Sequence, residues 1–276
     1  MVTVPTRRLH DGTTLPAIGL GTYPLDNDEA EREVAGALEA GYRLIDTAMI
    51  YGNEAGVGRA IARSGISREE IIVTTKLPGR DHGYEQALAS FEGSRRRLGL
   101  DYVDLYLIHW PLPRLDQYVE CWQALIRLRE ESVARSIGVS NFTAEHIQRL
   151  ERSTGVLPSV NQIEMHPALP QHELRGFHEA KGVRTQGWRP LGEGRALLED
   201  PEVLAIAERH NVTPGQAVLR WQTQLGSVPI PKSADRGRQR ENLDIFGFEL
   251  TADELIRISA RSPHRIGPHP EDYEEF

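Results

Sequence analysis

Eight short apolar runs punctuate the chain, with helical patterns between them, and that alternation limits the available folds more than any other feature. The runs are Ala17–Leu20, Leu44–Asp46, Ile71–Lys76, Val103–His109, Ser136–Ser140, Ser159–Glu164, Arg184–Trp188 and Val228–Ile230. The intervening stretches carry helical spacing: in Glu31–Leu38, for example, Val34, Ala35 and Leu38 fall on one face. No Pro- or Ser-rich linker, low-complexity tract or shift of composition interrupts the series. Eight strand–helix units in one unbroken chain predict a closed parallel (β/α)8 barrel, a TIM barrel, as a single domain over residues 1–276. The length agrees, since such barrels commonly take about 250 residues. Ahead of the first unit, Arg7-Arg-Leu-His and Leu15-Pro-Ala-Ile flank a turn at Asp11-Gly12. They predict an N-terminal β-hairpin that caps the bottom of the barrel. Ser67 with Glu70, and Thr251 with Glu254, match the capping box. Thr213-Pro214 with Gln216 marks another helix start. An additional C-terminal helix is expected near Thr251–Ala260.

Composition narrows the functional classes. Hydrophobic residues make up 39% and charged residues 26%, which suits a soluble globule with a substantial core. A net charge of −8 argues against a nucleic-acid backbone as partner but permits a local basic pocket for a phosphate. Cys121 is the only cysteine and lies in a helical stretch, so no internal disulfide forms. That is compatible with a reducing compartment. Met1-Val-Thr-Val-Pro lacks the basic and apolar segments of a signal peptide. No run approaches the ~20 apolar residues of a membrane span. The expectation is a cytoplasmic monomer without a membrane partner.

In an α/β fold the strand ends form the catalytic face. Four polar residues lie at or beside three successive strand ends: Asp46, Tyr51 just beyond it, Lys76 and His109. Each has a bland explanation when taken alone. Asp46 and Lys76 could form a structural ion pair, Tyr51 could pack on the surface, and His109 could be a hydrogen-bonded loop residue. Together they form a general-acid site. A buried Lys⁺ favours the phenolate of a neighbouring tyrosine and lowers its pKa, an aspartate keeps the lysine charged, and a neutral histidine can donate to a carbonyl oxygen.

The blocks around these residues resemble the aldo-keto reductase family. They are Asp46-Thr-Ala-Met-Ile-Tyr51-Gly-Asn-Glu, Thr74-Thr-Lys76, Asp104-Leu-Tyr-Leu-Ile-His109-Trp-Pro, Gly138-Val-Ser-Asn141-Phe, Asn161-Gln-Ile-Glu-Met-His-Pro167 and Ile230-Pro-Lys232-Ser, in the family's order. Gly187-Trp188-Arg-Pro-Leu-Gly-Glu-Gly194 and Asn242-Leu-Asp-Ile-Phe resemble most the prokaryotic 2,5-diketo-D-gluconate reductase group. The resemblance implies reduction of aldehydes or ketones, including keto sugars or keto acids, with NADPH/NADP+ as cofactor. It makes Tyr51 the proton donor, Lys76 and Asp46 its tuning pair, and His109 the residue that orients the carbonyl. It assigns Ser140, Asn141 and Gln162 to the nicotinamide carboxamide and Trp188 to stacking on the ring. Gly21, Thr22, Pro190, Leu191, Gly192, Glu241 and Asn242 complete the implied cofactor set. Tyr23, Trp110 and the tail after Ser262 are expected to line the substrate pocket. Relatives also act as nucleotide-binding redox-sensor subunits of larger assemblies, which is the alternative.

The adenosine end can also be read from its chemistry. Lys232, Ser233 and Arg238 combine positive charge with hydrogen-bond donors suited to a 2′-phosphate. Asp235 works against them, because a carboxylate there would repel that phosphate and weaken the NADPH preference.

Other patterns fail. Gly19-Leu-Gly21-Thr-Tyr-Pro24 has proline where a dinucleotide fingerprint needs its third glycine. Gly138-Val-Ser140-Asn-Phe lacks the second glycine of a nucleophile elbow. Ten histidines include no His-Glu-x-x-His pair, so no metal is expected. His166, His172 and His178 are spaced like surface or loop residues. Met49 and Ile50 are expected to pack, with some influence on the pocket.

Overall fold

The structure, a computed structural model, describes residues 3–192 and 194–275, and only the backbone at Arg195. Met1 and Val2 of the opening segment, Glu193 of the Gly187–Gly194 segment, and Phe276 lie outside the described residues. An antiparallel hairpin, β1 (Thr6–Arg8) and β2 (Thr14–Pro16), comes first. Eight strands follow: β3 (Leu20–Gly21), β4 (Leu44–Asp46), β5 (Ile72–Leu77), β6 (Val103–Ile108), β7 (Ala134–Ser140), β8 (Val160–Glu164), β9 (Arg184–Trp188) and β10 (Val228–Pro229). They pair in parallel in chain order, each with the next. Backbone bonds from Gly19 N to Pro229 O (3.0 Å) and Gly21 N to Pro231 O (2.9 Å) join the two ends of the sheet. The expected (β/α)8 barrel is therefore present, with β3 starting three residues later than the apolar run predicted.

The helices are α1 (Asn27–Ala40), α2 (Glu54–Arg63), α3 (Tyr84–Leu98), α4 (Tyr118–Glu130), α5 (Ala144–Thr154), α6 (His172–Lys181), α7 (Arg195–Leu198), α8 (Pro201–His210), α9 (Pro214–Gln224), α10 (Arg236–Leu243) and α11 (Ala252–Ser259). The capping boxes at Thr213 and Thr251 form as expected, while Ser67 does not cap a helix. Only a single 3-10 turn, Arg68–Glu70, follows Ser67, and the Glu70 N–H is already bonded to the Ser67 carbonyl at 2.9 Å.

Both faces of the parallel sheet are covered, so its strands are apolar on both sides. In β6, Leu105 and Leu107 cluster with Leu9 and Leu15 of the hairpin at the barrel's base. Tyr106 and Ile108 instead join the outer core, where Phe91 of α3 meets the Tyr106 ring at 4.9 Å. Each fully buried leucine or isoleucine contributes about 1.5–3 kcal/mol by leaving water. The hairpin is also bonded in place: Asp11 accepts from the hydroxyls of Ser136 (2.6 Å) and Ser159 (2.7 Å) at the starts of β7 and β8. Among the described residues, no helix is long and apolar enough to cross a membrane.

Two histidine expectations need correction. His166 and His178 are buried rather than at the surface. His166 pairs with Glu164, and His178 bonds Asn161 and Thr185 across the α6–β9 packing, so internal partners compensate both rings for lost hydration. His172 is exposed at the start of α6.

Candidate active site at the barrel mouth

β4 ends on Asp46, and a 3-10 turn, Met49–Tyr51, carries Tyr51 back toward the mouth. Buried Asn53 anchors that turn. Its amide donates to the carbonyls of Thr22 (3.1 Å) and Leu25 (2.9 Å), and its oxygen accepts from the Thr47 hydroxyl (2.6 Å). The loops after β3 and β4 are thereby tied together. Lys76, on β5, is fully buried. Its Nζ donates to Asp46 Oδ1 at 2.6 Å and to the Thr47 carbonyl at 2.9 Å, and lies 5.1 Å from the centre of the Tyr51 ring. His109 follows β6 with its ring 5.8 Å from that of Tyr51. The structure thus brings all four predicted residues together.

The second Asp46 oxygen accepts from Gln162 Nε2 at 2.7 Å, and the same amide bonds Gln186 at 3.0 Å. A polar chain therefore crosses the barrel interior from β5 through β4 to β8 and β9. Burial is the largest single influence on Lys76 and would discharge it, but Asp46 and Tyr51 together outweigh it and hold the ammonium pKa above its ordinary value. For Tyr51 the balance falls differently from the sequence expectation. Burial is the largest influence and raises the phenol pKa, and Lys76, though it pulls downward, does not overcome it. Tyr51 therefore holds its proton through the neutral range.

Beside this group opens a cavity of about 510 Å³. Gly21, Thr22, Ser140, Asn141, Gln162, Trp188, Pro190 and Lys232 of the expected cofactor set border it, as do Tyr23 and Trp110. Ser140, Asn141 and Trp188 are engaged with their surroundings. Ser140 donates to the Gln162 carbonyl (2.8 Å), Asn141 Nδ2 to the His109 carbonyl (3.0 Å), and Trp188 Nε1 to Asn141 Oδ1 (2.8 Å). The indole is thus pinned at its N–H at the edge of the cavity. Leu191 and Gly192 lie in the turn just beyond. Ser233, Arg238, Glu241 and Asn242 sit along the start and length of α10, outside this cavity. Lys232 and Arg238 are exposed, and Arg238 lies near the Asp235 carboxylate. Asp235 is committed to the helix: its carboxylate accepts from the Arg238 backbone N–H at 2.8 Å and caps α10. Met49 is partly buried, whereas Ile50 borders the cavity.

The C-terminal segment crosses the mouth. Glu164, at the end of β8, accepts from the N–H groups of Ile266 (2.6 Å) and Gly267 (2.9 Å). Gly267 passes so close to Trp188 that a Cβ there would lie 2.3 Å from the indole. Tyr273 packs on Trp110 at 4.5 Å. Glu275 then turns inward, accepting from Gly79 N–H at 2.8 Å and placing its other oxygen 2.6 Å from His109 Nδ1. The tail lies at the pocket as its sequence position suggested, while Glu275, Arg189 and Gly267 border the cavity without having been singled out from the sequence. Glu275 had no local signal, because it is one of several acids in a polar tail. Among the described residues, no group of three or more His, Cys, Asp or Glu is placed to hold a metal ion.

The aldo/keto reductase family model matches residues 17–262. A 2,5-diketo-D-gluconic acid reductase B from Corynebacterium sp. (strain SHS752001) is 49% identical, with the alignment covering 100% of both chains. The crystal structure of an aldo/keto reductase from Brucella melitensis superposes with a TM-score of 0.90 at 50% identity, covering 93% of this chain and 99% of that one. An Asp-to-Ala variant of Gox0644 in complex with NADPH gives a TM-score of 0.94 at 45% identity, covering 99% of each chain.

Proposed function

The chain belongs to the aldo/keto reductase family, and on that premise we propose that it reduces small aldehydes and ketones to alcohols with NADPH. The observation that carries this reading is the buried Lys76 ammonium, bonded to Asp46 and facing the Tyr51 ring at the edge of the cavity. Tyr51 gives its proton to the carbonyl oxygen. Lys76 stabilises the phenolate that this leaves, which lowers the barrier to transfer. Asp46 keeps Lys76 charged, and Gln162 keeps Asp46 in place. His109, at the same rim, orients the carbonyl oxygen.

The residues present fit the cofactor. The Trp188 face is fixed by Asn141 and suited to stacking on a flat ring. Ser140, Asn141 and Gln162 gather amide and hydroxyl groups beside it. Lys232 and Arg238 supply exposed cations for a 2′-phosphate, with Ser233 between them in sequence. Bound NADPH would supply the hydride. Asp235 caps α10 next to those cations and tempers the preference for NADPH over NADH. The likeness to a 2,5-diketo-D-gluconic acid reductase supports keto sugars and keto acids as the substrate class. The test is steady-state NADPH oxidation with a panel of aldehydes, keto acids and keto sugars. Turnover is expected. NADPH binding without turnover on any of them would instead favour a nucleotide-sensing subunit.

A further inference from the structure

The Glu275 carboxylate is buried, and its two oxygens have distinct partners. One accepts from the backbone N–H of Gly79, just past the end of β5, and the other lies 2.6 Å from His109 Nδ1. The latter contact is short but not aligned as an ideal hydrogen bond. Even so, an unprotonated Nδ1 at this distance would set lone pair against lone pair. The proton of the imidazole is therefore on Nδ1. That nitrogen is sealed from solvent, while the ring as a whole borders the cavity.

We propose that Glu275 is a positioning residue for the carbonyl-reducing site: its carboxylate holds the Nδ1 proton of His109, so that the ring meets the substrate oxygen through Nε2. This rests on the reductase reading and deepens it. With Nδ1 protonated, Nε2 bears a proton only in the imidazolium form. The donor to the carbonyl is then a cation paired with Glu275, not the neutral histidine expected from the sequence. In the neutral form Nε2 offers a lone pair, which suits accepting from the hydroxyl of a bound alcohol.

The surroundings support the pairing. Burial opposes the Glu275 charge, but its partners, His109 first and then the Gly79 N–H, outweigh it and hold its pKa below the ordinary value. His82 is buried beside Glu275 and Asp81, and burial holds its pKa down to about 4. His82 is therefore neutral near pH 7 and leaves the Glu275 charge to His109. Tyr51, carrying Lys76 behind it, and Tyr273 are the other titratable groups facing the pair. The tail is packed where this happens, because a Cβ at Gly79 would lie 2.2 Å from the Glu275 carbonyl oxygen.

The experiment compares full-length wild type with Glu275→Ala, Glu275→Gln, Glu274→Gln and His109→Ala. Among the described residues Glu274 pairs with Arg114 alone, at the surface, so Glu274→Gln should be silent. Glu275→Ala should lower kcat on the order of tenfold to a hundredfold, as for other partners that orient a functional imidazole, with KM for NADPH unchanged. Glu275→Gln is close in shape. Its oxygen can keep the Gly79 bond while its amide faces Nδ1, which forces the ring proton to Nε2. The alkaline limb of the kcat profile should then move to higher pH. Long-range ¹H–¹⁵N spectra of ¹⁵N-histidine protein read the same change without turnover: His109 protonated at Nδ1 in wild type, and at Nε2 in Glu275→Gln.

A wild-type His109 protonated only at Nε2 would overturn the proposal even if the alanine variant failed to fold. So would Glu275 variants with unchanged kcat and pH profile, or a Glu274→Gln variant as impaired as Glu275→Gln. A fully active His109→Ala, or a wild type that turns over no carbonyl, would overturn the reductase reading itself and the proposal with it. Silent Glu275 variants in an enzyme that needs His109 would overturn the proposal alone.

Discussion

Asp11, in the hairpin turn, and Asp46, at the end of β4, are both carboxylates that meet the barrel's strands, but at opposite faces and with different partners. Asp11, at the base, is half-buried and accepts from neutral hydroxyls of Ser136, Ser159 and Thr13. Asp46, at the mouth, is buried against a charged ammonium and an amide. The first arrangement anchors a hairpin. The second stores charge that a reaction can draw on, since an ammonium kept out of water acts strongly on a phenol beside it. The two ends therefore divide the work as parallel barrels generally do, with stability at the base and chemistry at the strand C-termini. If that division is right, substitutions at the mouth will mainly cost turnover, and those at the base will cost only stability.

Lys76→Met is the strongest challenge to this contrast. Turnover should fall by about 10²–10⁴-fold. Stability should fall as well, by about 3–5 kcal/mol, because Asp46 is left charged and buried without its main partner. Chemical denaturation measures that second loss. Removing the ammonium also removes the influence that lowers the Tyr51 pKa, so in the Glu275→Gln background, where His109 can donate without being charged, the alkaline limb of carbonyl reduction should move to higher pH. An unchanged limb would break the proposed coupling between the two residues.

Tyr51→Phe separates chemistry from stability at the same end. It removes the transferable proton but leaves the ring's volume, so kcat should drop by about 10²–10⁴-fold with NADPH affinity retained. Near wild-type kcat would show that another group is the acid.

Asp11→Ala should have the opposite signature. The hydroxyls of Ser136 and Ser159 lose their acceptor, which costs about 1–3 kcal/mol, while kcat of the folded enzyme stays the same. Burial opposes the Asp11 charge, but its hydroxyl donors hold the folded pKa below the ordinary 3.8. A group depressed in the folded state stabilises above its unfolded value and loses that contribution as pH falls through the folded one. The stability gap between wild type and variant should thus be full above about pH 5 and shrink below 3.8. A gap that widens in acid would overturn this account of Asp11.

Arg238→Ala is the mildest of the four and tests the exposed edge of the mouth. One charge-assisted hydrogen bond contributes about 1.5–3 kcal/mol, so KM for NADPH should rise about tenfold while KM for NADH hardly changes. Equal effects on both cofactors would detach Arg238 from the 2′-phosphate.

Much of this could be read from the chain because it depends on residues close in sequence. Lys76 reads as a strand-end charge because the run Ile71–Thr75 precedes it, and Thr251 reads as a cap because Glu254 stands three residues on. Ser67 carries the same pattern as Thr251, yet the chain leaves the helical path after one turn and no cap forms. His166 and His178 look like polar loop residues until the partners that bury them, Glu164 for one and Asn161 with Thr185 for the other, are seen.

The sequence by itself determined the eight-fold strand–helix order and the four polar residues at the mouth, since periodicity and strand ends are local properties of the chain. Only the tertiary structure decided that burial outweighs Lys76 at Tyr51, that Asp235 caps a helix, and that Glu275 reaches His109. Those outcomes depend on which groups lose water together and on contacts made across the whole barrel. The Glu275–His109 pair joins the C-terminal tail to the end of β6, and no local pattern encodes where a tail crossing the barrel mouth will turn inward.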